Sequence, residues 1–221
     1  MTAKRIADPA AFIRANTRVL SPPLLPELRL HLADESLAIW TKTETELGIS
    51  GMPPPYWAFA WAGGQALARY LLDAPGAVTG RHVLDLAAGC GLGAIAAMRA
   101  GAVSATGNDI DEFAGAAMRL NAGLNTVSLG ILIADLLSGR PARQDVVLVG
   151  DVFYERPLAE RALRWLIASQ AAGATVHCGD PGRSYFPKDE FEPIAEYNVP
   201  VSLDLEDTEI KRTSVWRLKA R

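Results

Sequence analysis

The sequence predicts an α/β protein in which helices cover both faces of a mostly parallel, seven-stranded sheet that ends in an antiparallel β hairpin. Three observations lead to this fold class. Short apolar runs alternate with helical segments between residues 81 and 178, the first run leads into a glycine-rich turn, and β-rich runs follow residue 190. A chain of 221 residues is long enough for one such domain with a substantial core.

The predicted elements begin with an N-terminal extension. Residues 8–19 have helical spacing, with Asp8 as a candidate N-cap. Residues 29–47 mix apolar and acidic side chains, which is typical of a lid or an added layer. We therefore predict a helical extension over residues 1–50 that packs on a domain formed by residues 51–221.

An aromatic segment opens the domain. Three successive prolines, residues 53–55, exclude a helix, so the aromatic side chains after them lie on an extended segment before a helix predicted at 64–72. Two tryptophans beside two glycines suggest a flat apolar surface next to an open turn. Trp61 is predicted to contact a cofactor and Trp57 to wall a channel for the second reactant, unless both are core residues.

The central stretch follows at residues 81–111. Residues 82–86 form a short apolar run typical of a buried strand, 87–93 are small and rich in glycine, 94–100 have helical composition, and 104–108 indicate a second strand. This order is half of a nucleotide-binding, Rossmann-like βαβ unit. Its glycines allow a ligand to approach the backbone, and the positive end of the following helix points at the same place.

The acids and glycines of this stretch restrict the ligand. Gly89, Gly91 and Gly93 do not have the GxGxxG spacing of a dinucleotide fingerprint. Asp85 would repel a pyrophosphate and attract an amino-acid ammonium. Asp109, about 20 residues after Gly89 at the end of the second strand, can accept hydrogen bonds from both ribose hydroxyls. The alternative is an ordinary strand–turn–helix with glycines for tight packing.

The pattern Asp85-x-Ala87-x-Gly89-x-Gly91 resembles motif I of the S-adenosylmethionine-dependent methyltransferases of the seven-stranded class. Ala87 stands where that family usually has its first glycine. An alanine there predicts a backbone φ below zero, as at the end of a strand.

Later segments complete the sheet. Helices are predicted at 111–121 and 157–169, strands at 129–134, 144–150 and 175–178, and a terminal hairpin from runs at 200–206 and 212–218. Asp135 follows the third strand, where a carboxylate can accept a hydrogen bond from the adenine amine. A turn-forming role explains Asp135 nearly as well.

The tetrapeptide Asp151-Val152-Phe153-Tyr154 stands at the carboxyl end of the fourth strand, where ligands bind in open α/β sheets. Methyl transfer to an amine needs an in-line arrangement and a neutral amine. An apolar, partly dry pocket lowers the lysine pKa from its usual value of about 10.4. A carboxylate or carbonyl together with a tyrosine hydroxyl can then hold the two N–H groups. A capping role for Asp151 and a core position for Tyr154 are the alternatives.

The pair Asp151-x-x-Tyr154 resembles the D/E-x-x-Y/F motif of the seven-strand protein-lysine methyltransferases. Within that group, PPPYWAFAWAGGQALARYL and GDPGR are most similar to the bacterial enzymes that methylate the β subunit of electron transfer flavoprotein, and the resemblance runs from about residue 26 to 218. It implies S-adenosylmethionine as cofactor, lysine side chains as acceptors and the electron transfer flavoprotein β subunit as protein partner.

The resemblance also implies roles for residues. It puts the catalytic pair Asp151 and Tyr154 at the target lysine. Apart from the resemblance, Trp57 and Arg183 are predicted to line the substrate channel, where Arg183 meets an acidic partner or is simply solvated. Leu136 takes a position at which related enzymes often have tryptophan. Cofactor contacts are implied for Trp61, Asp85, Gly89, Gly91, Asp109 and Asp135, and are predicted in addition for Ala87, Leu136 and Gly150.

Composition narrows the possible partners and location. A formal net charge of -3 argues against a general nucleic-acid binder. Cys90 and Cys178 suggest neither a disulfide framework nor a metal site. With no leader sequence and no apolar run near the roughly 18 residues of a membrane span, we expect a cytoplasmic protein without a membrane partner.

Two other functions stay open at this point. A small-molecule N-methyltransferase acting on an amine or pyridine would have a closed pocket over Tyr154, whereas a protein substrate needs an open channel. A non-catalytic cofactor-binding interaction module would keep its biological role after Asp151→Ala.

Overall fold

The computed structural model describes residues 8–33, 54–201 and 208–220. Within these ranges the helices are α1 (Pro9–Asn16), α2 (Ala62–Asp73), α3 (Leu92–Arg99), α4 (Glu112–Leu124) and α5 (Arg156–Ala171). The strands are β1 (Arg18–Leu20), β2 (Leu30–Leu32), β3 (His82–Leu86), β4 (Ser104–Asp109), β5 (Gly130–Ile133), β6 (Val146–Gly150), β7 (Thr175–Asp180), β8 (Phe191–Pro200) and β9 (Ile210–Leu218).

The main sheet has seven strands in the order β5-β4-β3-β6-β7-β9-β8. Strands β3 to β7 are parallel, whereas β9 runs antiparallel to both β7 and β8. The chain moves outward from β3 in one direction and resumes at β6 on the other side of β3. This switch point opens a crevice at the carboxyl ends of β3 and β6, where ligands of open α/β sheets bind.

Alternate residues of the central strands pack on opposite helix layers. Val83, Val146 and Leu148 lie in one core cluster with α2 and α3. Leu84 and Val147 lie in a second cluster with α5. Burial on both faces explains the continuous apolar runs of β3 and β6. The predicted fold class is therefore confirmed.

The N-terminal layer packs on the core through α1 but differs from the prediction in one respect. Asp8 caps α1 as expected, with its Oδ1 accepting from the Ala11 N–H at 3.0 Å. The helix ends at Asn16 instead of residue 19, because Thr17 is extended and donates its hydroxyl to the Ile13 carbonyl at 2.6 Å. The next residues form β1, which pairs with β2. Residues 34–47 of the predicted lid lie outside the described residues.

The terminal hairpin is present and is formed by β8 and β9, whereas residues 202–206 of the predicted first strand lie outside the described residues. Pro193 made residues 191–200 a poor strand in the sequence, because proline cannot donate to a ladder. In the structure β8 is an edge strand with a register shift between Pro193 and Ala195, and such a position tolerates proline. The other predicted elements agree with the structure to within about three residues at each end.

No helix among residues 8–33, 54–201 and 208–220 is long and apolar enough to cross a membrane.

Candidate active site

The glycine-rich turn joins β3 to α3 at the switch point of the sheet. Gly89 and Gly91 have positive φ angles of 52° and 81°. Ala87 also has a positive φ, 53°, so the prediction of a negative φ at this position was wrong. The turn bends directly after β3, and Ala87 adopts the left-handed conformation that a glycine would adopt without strain.

Asp85 lies beneath this turn at the N-terminus of α3. Its Oδ2 accepts a hydrogen bond from the Ala94 N–H at 2.8 Å. A Cβ on Gly93 would stand 2.8 Å from the same oxygen, so a glycine is required there for the helix to approach. Burial raises the pKa of Asp85 to about 7, against the opposing effect of the Ala94 hydrogen bond.

Asp109 ends β4 beside the same turn. Its Oδ2 accepts from the Gly89 N–H at 2.9 Å, and its Oδ1 accepts from the N–H groups of Ile110 and Asp111 at 2.8 and 3.1 Å. Burial raises the pKa of its carboxyl group. A carboxylate has about four acceptor positions, so one remains for a hydroxyl group of a ligand.

Ile110 is a candidate contact that the sequence interpretation missed. Its side chain is 72% exposed, although it is apolar and follows Asp109 directly. An exposed apolar side chain next to a carboxylate that has room for a ligand hydroxyl group suits the flat face of a base. The signal in the sequence was an isoleucine between two aspartates at a strand end. Asp109, Ile110 and the open glycine turn thus fit a nucleoside ligand.

Asp135 stands at the end of β5, as predicted, but its carboxylate already has protein partners. Arg161 donates to Oδ1 and Oδ2 at 2.9 and 2.6 Å, and the Ser138 hydroxyl donates to Oδ2 at 2.6 Å. The Ser138 hydrogen bond and then the Arg161 guanidinium lower the pKa of Asp135. Leu136 is half-buried at the start of the short turn that follows. Their contacts with adenine stay a prediction.

The two tryptophans have different environments. Trp57 is only 3% exposed and stacks on Phe113 with ring centroids 5.8 Å apart, so the structure places it in the core instead of along a channel. Trp61 is half-buried, precedes α2 and donates its Nε1–H to the Tyr56 carbonyl at 3.0 Å. The alternative of a core tryptophan therefore describes Trp57, and the cofactor contact of Trp61 stays a prediction.

The Asp151 carboxylate is almost fully buried and saturated with donors. Oδ2 accepts from the N–H groups of Gly63 and Gly64 at the start of α2, the second at 3.2 Å. Oδ1 accepts from Nε and Nη2 of Arg183 at 2.8 and 2.7 Å. Gly150, predicted to contact the cofactor, ends β6 just before Asp151 and packs on Gly64.

Tyr154 is the accessible member of the pair, with 38% of its surface exposed. Its ring lies 5.5 Å from the ring of Tyr56. Burial, followed by the neighbouring Tyr56, raises the pKa of the Tyr154 hydroxyl well above its usual range. The hydroxyl is therefore protonated at neutral pH.

Tyr56 connects the two halves of the site and was missed in the sequence. Its carbonyl oxygen lies 3.8 Å from where a Cβ on Gly89 would stand, and its ring contacts Tyr154. The segment from Asp151 to Tyr154 therefore lies on the same edge of the sheet as the glycine turn, as predicted. The only signal for Tyr56 was its place after the three prolines.

Comparisons with known proteins agree with this geometry. A family model described as ribosomal protein L11 methyltransferase matches residues 66–153. The electron transfer flavoprotein beta subunit lysine methyltransferase of Xenopus laevis is 40% identical over 214 residues, which cover 94% of this chain and 86% of that protein. The Homo sapiens protein of the same name is 38% identical over 213 residues, covering 93% and 80%.

The chain belongs to the electron transfer flavoprotein β-subunit lysine methyltransferase family. It is an S-adenosylmethionine-dependent methyltransferase, as the sequence predicted. The crystal structure of magnesium protoporphyrin IX methyltransferase from Synechocystis, solved with this cofactor bound, has the same fold. It matches with a TM-score of 0.52 and 15% identity, covering 84% of this chain and 98% of that protein.

Proposed function

We propose that this enzyme transfers methyl groups from S-adenosylmethionine to lysine side chains of the electron transfer flavoprotein β subunit. The names and the 36–40% identity of the vertebrate relatives support this substrate. The observation that carries the proposal is the position of Tyr56, which contacts both the glycine turn and Tyr154. The cofactor turn and an exposed tyrosine on the acceptor motif thereby face one crevice.

In the proposed site the cofactor is held by residues from four strand ends and the aromatic segment. Its sulfonium group supplies an electrophilic methyl group. Asp109 would accept from the ribose, Ile110 would cover the base, and the N–H-lined turn would receive the amino-acid part. The full proposed set is Trp61, Asp85, Ala87, Gly89, Gly91, Asp109, Ile110, Asp135, Leu136 and Gly150.

On the acceptor side, the tyrosine hydroxyl supplies orientation and not a base. Because the pKa of Tyr154 is raised, its hydroxyl does not remove a proton at neutral pH. Its oxygen can accept an N–H of a neutral lysine amine, which turns the nitrogen lone pair toward the methyl group. The aromatic rings around it lower the local polarity and favour the neutral amine.

The exposure of Tyr154 supports a protein substrate over a small molecule. A pocket for a small amine would close over the acceptor residue, whereas a lysine on a folded protein must enter from outside. Tyr154 is more than a third exposed at the end of the acceptor motif. This open approach suits a side chain carried on a surface.

Labelling with isotopic S-adenosylmethionine tests the proposal. We expect the purified electron transfer flavoprotein β subunit to take up label on lysine, with the position given by peptide mass spectrometry. Tyr154→Phe should lower kcat by about 10- to 100-fold and leave cofactor affinity unchanged. Tyr185→Phe, at an equally exposed tyrosine, is the matched control and should retain activity. Label in a metabolite alone would identify the small-molecule enzyme, and no label at all the non-catalytic module.

We also place the enzyme in a reducing compartment, the cytoplasm. Cys90 and Cys178 are both free and buried. Burial raises the pKa of Cys90 to about 12 and raises that of Cys178 as well. Free thiols are usual for proteins of reducing compartments. Cell fractionation followed by immunoblotting checks this location, and recovery outside the cytoplasm would contradict it.

A further inference from the structure

We infer that Asp151 positions the acceptor side of the site instead of binding the lysine amine, because Arg183 and the first turn of α2 take up its carboxylate. The inference rests on the proposed function and assigns Arg183 a role in it. Arg183 is then a positioning residue that acts through Asp151, and not a channel residue that meets an acidic partner.

Protein donors occupy the acceptor positions of the Asp151 carboxylate. Four donors reach the two oxygens of Asp151, two from the backbone of Gly63 and Gly64 and two from the Arg183 guanidinium. An ionised carboxylate offers about four acceptor positions. With its side chain 9% exposed, Asp151 could bind a lysine amine only by releasing one of these donors.

Close packing of α2 on the strand ends fixes this arrangement. A Cβ on Gly63 would meet the Gly179 carbonyl oxygen at 2.2 Å, so the first turn of α2 lies directly on the ends of β6 and β7. Asp151 has a positive φ of 53° and donates its own N–H to the Gly179 carbonyl at 3.0 Å. A strained residue held by this many contacts is over-determined by its surroundings.

Arg183 is positioned by its own turn and by the aromatic segment. Asp180 shapes its turn, because Oδ1 of Asp180 accepts from the N–H groups of Gly182 and Arg183 at 2.7 and 2.8 Å. The Arg183 guanidinium also lies 6.0 Å from the centre of the Trp61 ring, within the range of a cation–π contact. Arg183 thus connects the turn after β7 with both Asp151 and the aromatic segment. Its planar fork suits this two-point contact in a way that lysine does not.

Asp151 and Tyr154 therefore have different roles within the acceptor motif. Asp151 holds the start of α2, and with it Trp61 and Tyr56, at a fixed distance from Tyr154. The partly exposed hydroxyl pair of Tyr154 and Tyr56 is then the polar group that the amine meets. Loss of either member of the Asp151–Arg183 pair should displace the same aromatic side chains.

A double-mutant cycle tests this division. We expect Asp151→Asn and Arg183→Gln each to lower kcat by about 10- to 100-fold, with KM for the acceptor changed less than about threefold. The double variant should be no worse than the poorer single variant, because both changes break one contact. Arg183→Lys should recover part of the loss. Arg164→Gln, at an exposed arginine on α5, is the matched control and should retain full activity.

A second measurement does not need methyl transfer. Amide hydrogen exchange should be faster at Gly63 and Gly64 in both single variants, and unchanged in Arg164→Gln. The inference is overturned if exchange there does not change, or if Asp151→Asn lowers kcat at least 100-fold more than Arg183→Gln and the two losses multiply. Failure of the wild-type enzyme to label any lysine would instead overturn the proposed function, and hydrogen exchange would still decide the role of Asp151.

Discussion

The backbone of Ala87 is strained where the glycine-rich turn begins. An L-residue in the left-handed region costs about 1–2 kcal/mol, and the exposed Ala87 methyl group gains little burial in return. Ala87→Gly should therefore raise the free energy of unfolding by about 0.5–1 kcal/mol, after the greater entropy of glycine in the unfolded chain is subtracted. Urea denaturation measures this change.

Ala88 supplies the control for that prediction. It is the adjacent alanine and does not have a positive φ. Ala88→Gly should thus lower stability by about 0.5–1 kcal/mol. Equal losses in the two glycine variants would show that the Ala87 conformation is not strained.

The buried carboxyl of Asp85 should make stability depend on pH. Its folded pKa of about 7 lies above its unfolded value of about 3.9, so the folded state holds the proton more tightly. The associated stability is fully present below about pH 4 and is lost as the pH rises through about 7. Asp85→Asn keeps an acceptor for the Ala94 N–H and removes the titration.

Urea denaturation at pH 4.5 and at pH 7.5 measures this effect. Relative to the wild type, Asp85→Asn should gain stability as the pH rises between these values. Asp180, whose pKa burial raises to about 6, titrates in both proteins and cancels in the comparison. A difference that is constant with pH would show that Asp85 is ionised throughout.

At the scale of residues, the sequence predicts the groups that lie close together along the chain. Asp85, Gly89, Gly91 and Asp109 belong to one βαβ unit, in which the strand order fixes their relative positions. The partners of Asp151 could not be predicted, because Gly63 lies 88 residues away and Arg183 lies 32 residues away along the chain. Only the assembled sheet brings these three segments to one edge.

The first turn of α2 contains one glycine that has no room for a side chain and one that does. A Cβ on Gly63 would also stand 2.5 Å from Oδ2 of Asp151, whereas a Cβ on Gly64 would meet no atom within 4 Å. Gly63→Ala should lower the free energy of unfolding by about 1–3 kcal/mol through overpacking. Gly64→Ala, one position along the same helix, should be neutral or stabilising by up to about 1 kcal/mol.

Thermal unfolding of the two alanine variants compares these neighbours directly. A similar loss in both would mean that the start of α2 is sensitive to any side chain and not to the contact with β7. Since Gly63 also donates to Asp151, its variant should lose methyltransferase activity more strongly than stability alone explains.

Elements with a clear period were predictable, and those with mixed signals were not. The apolar runs of β3 and β6 gave correct strands because both faces of these strands are buried. The helical spacing of residues 8–19 continued past the real end of α1. There the Thr17 hydroxyl donates a hydrogen bond to the Ile13 carbonyl of the last turn. That choice depends on pairing between β1 and β2, which the local sequence does not contain.

Across the whole molecule, Asn121 joins the N-terminal layer to the cofactor turn. This fully buried residue of α4 accepts from the His31 N–H at 2.7 Å and donates to the Cys90 carbonyl at 2.9 Å. Asn121→Ala leaves both groups without that partner and should lower stability by about 1–3 kcal/mol. Because Cys90 lies in the glycine turn, cofactor affinity should fall as well.

Asn125, the C-cap of α4, offers a matched control four residues after Asn121. Its side chain accepts from the Arg29 N–H at 3.0 Å and donates to the carbonyls of Arg29 and Asn121 at 2.6 and 2.8 Å, and these partners lie outside the glycine-rich turn. Asn125→Ala should lower stability by a similar amount and leave cofactor affinity unchanged. Unfolding curves and titration calorimetry with S-adenosylhomocysteine measure the two effects. Equal affinities in both variants would separate the N-terminal layer from cofactor binding.

The two buried thiols provide a way to measure how often parts of the folded enzyme open. Cys90 is enclosed between the turn glycines and Cys178 within the central sheet, so an alkylating reagent reaches either sulfur only when its surroundings come apart. The rate of modification at Cys90 would therefore measure how often the glycine-rich turn opens, and the rate at Cys178 would measure the rarer opening of the central sheet. Mass spectrometry after timed alkylation measures both rates in one sample.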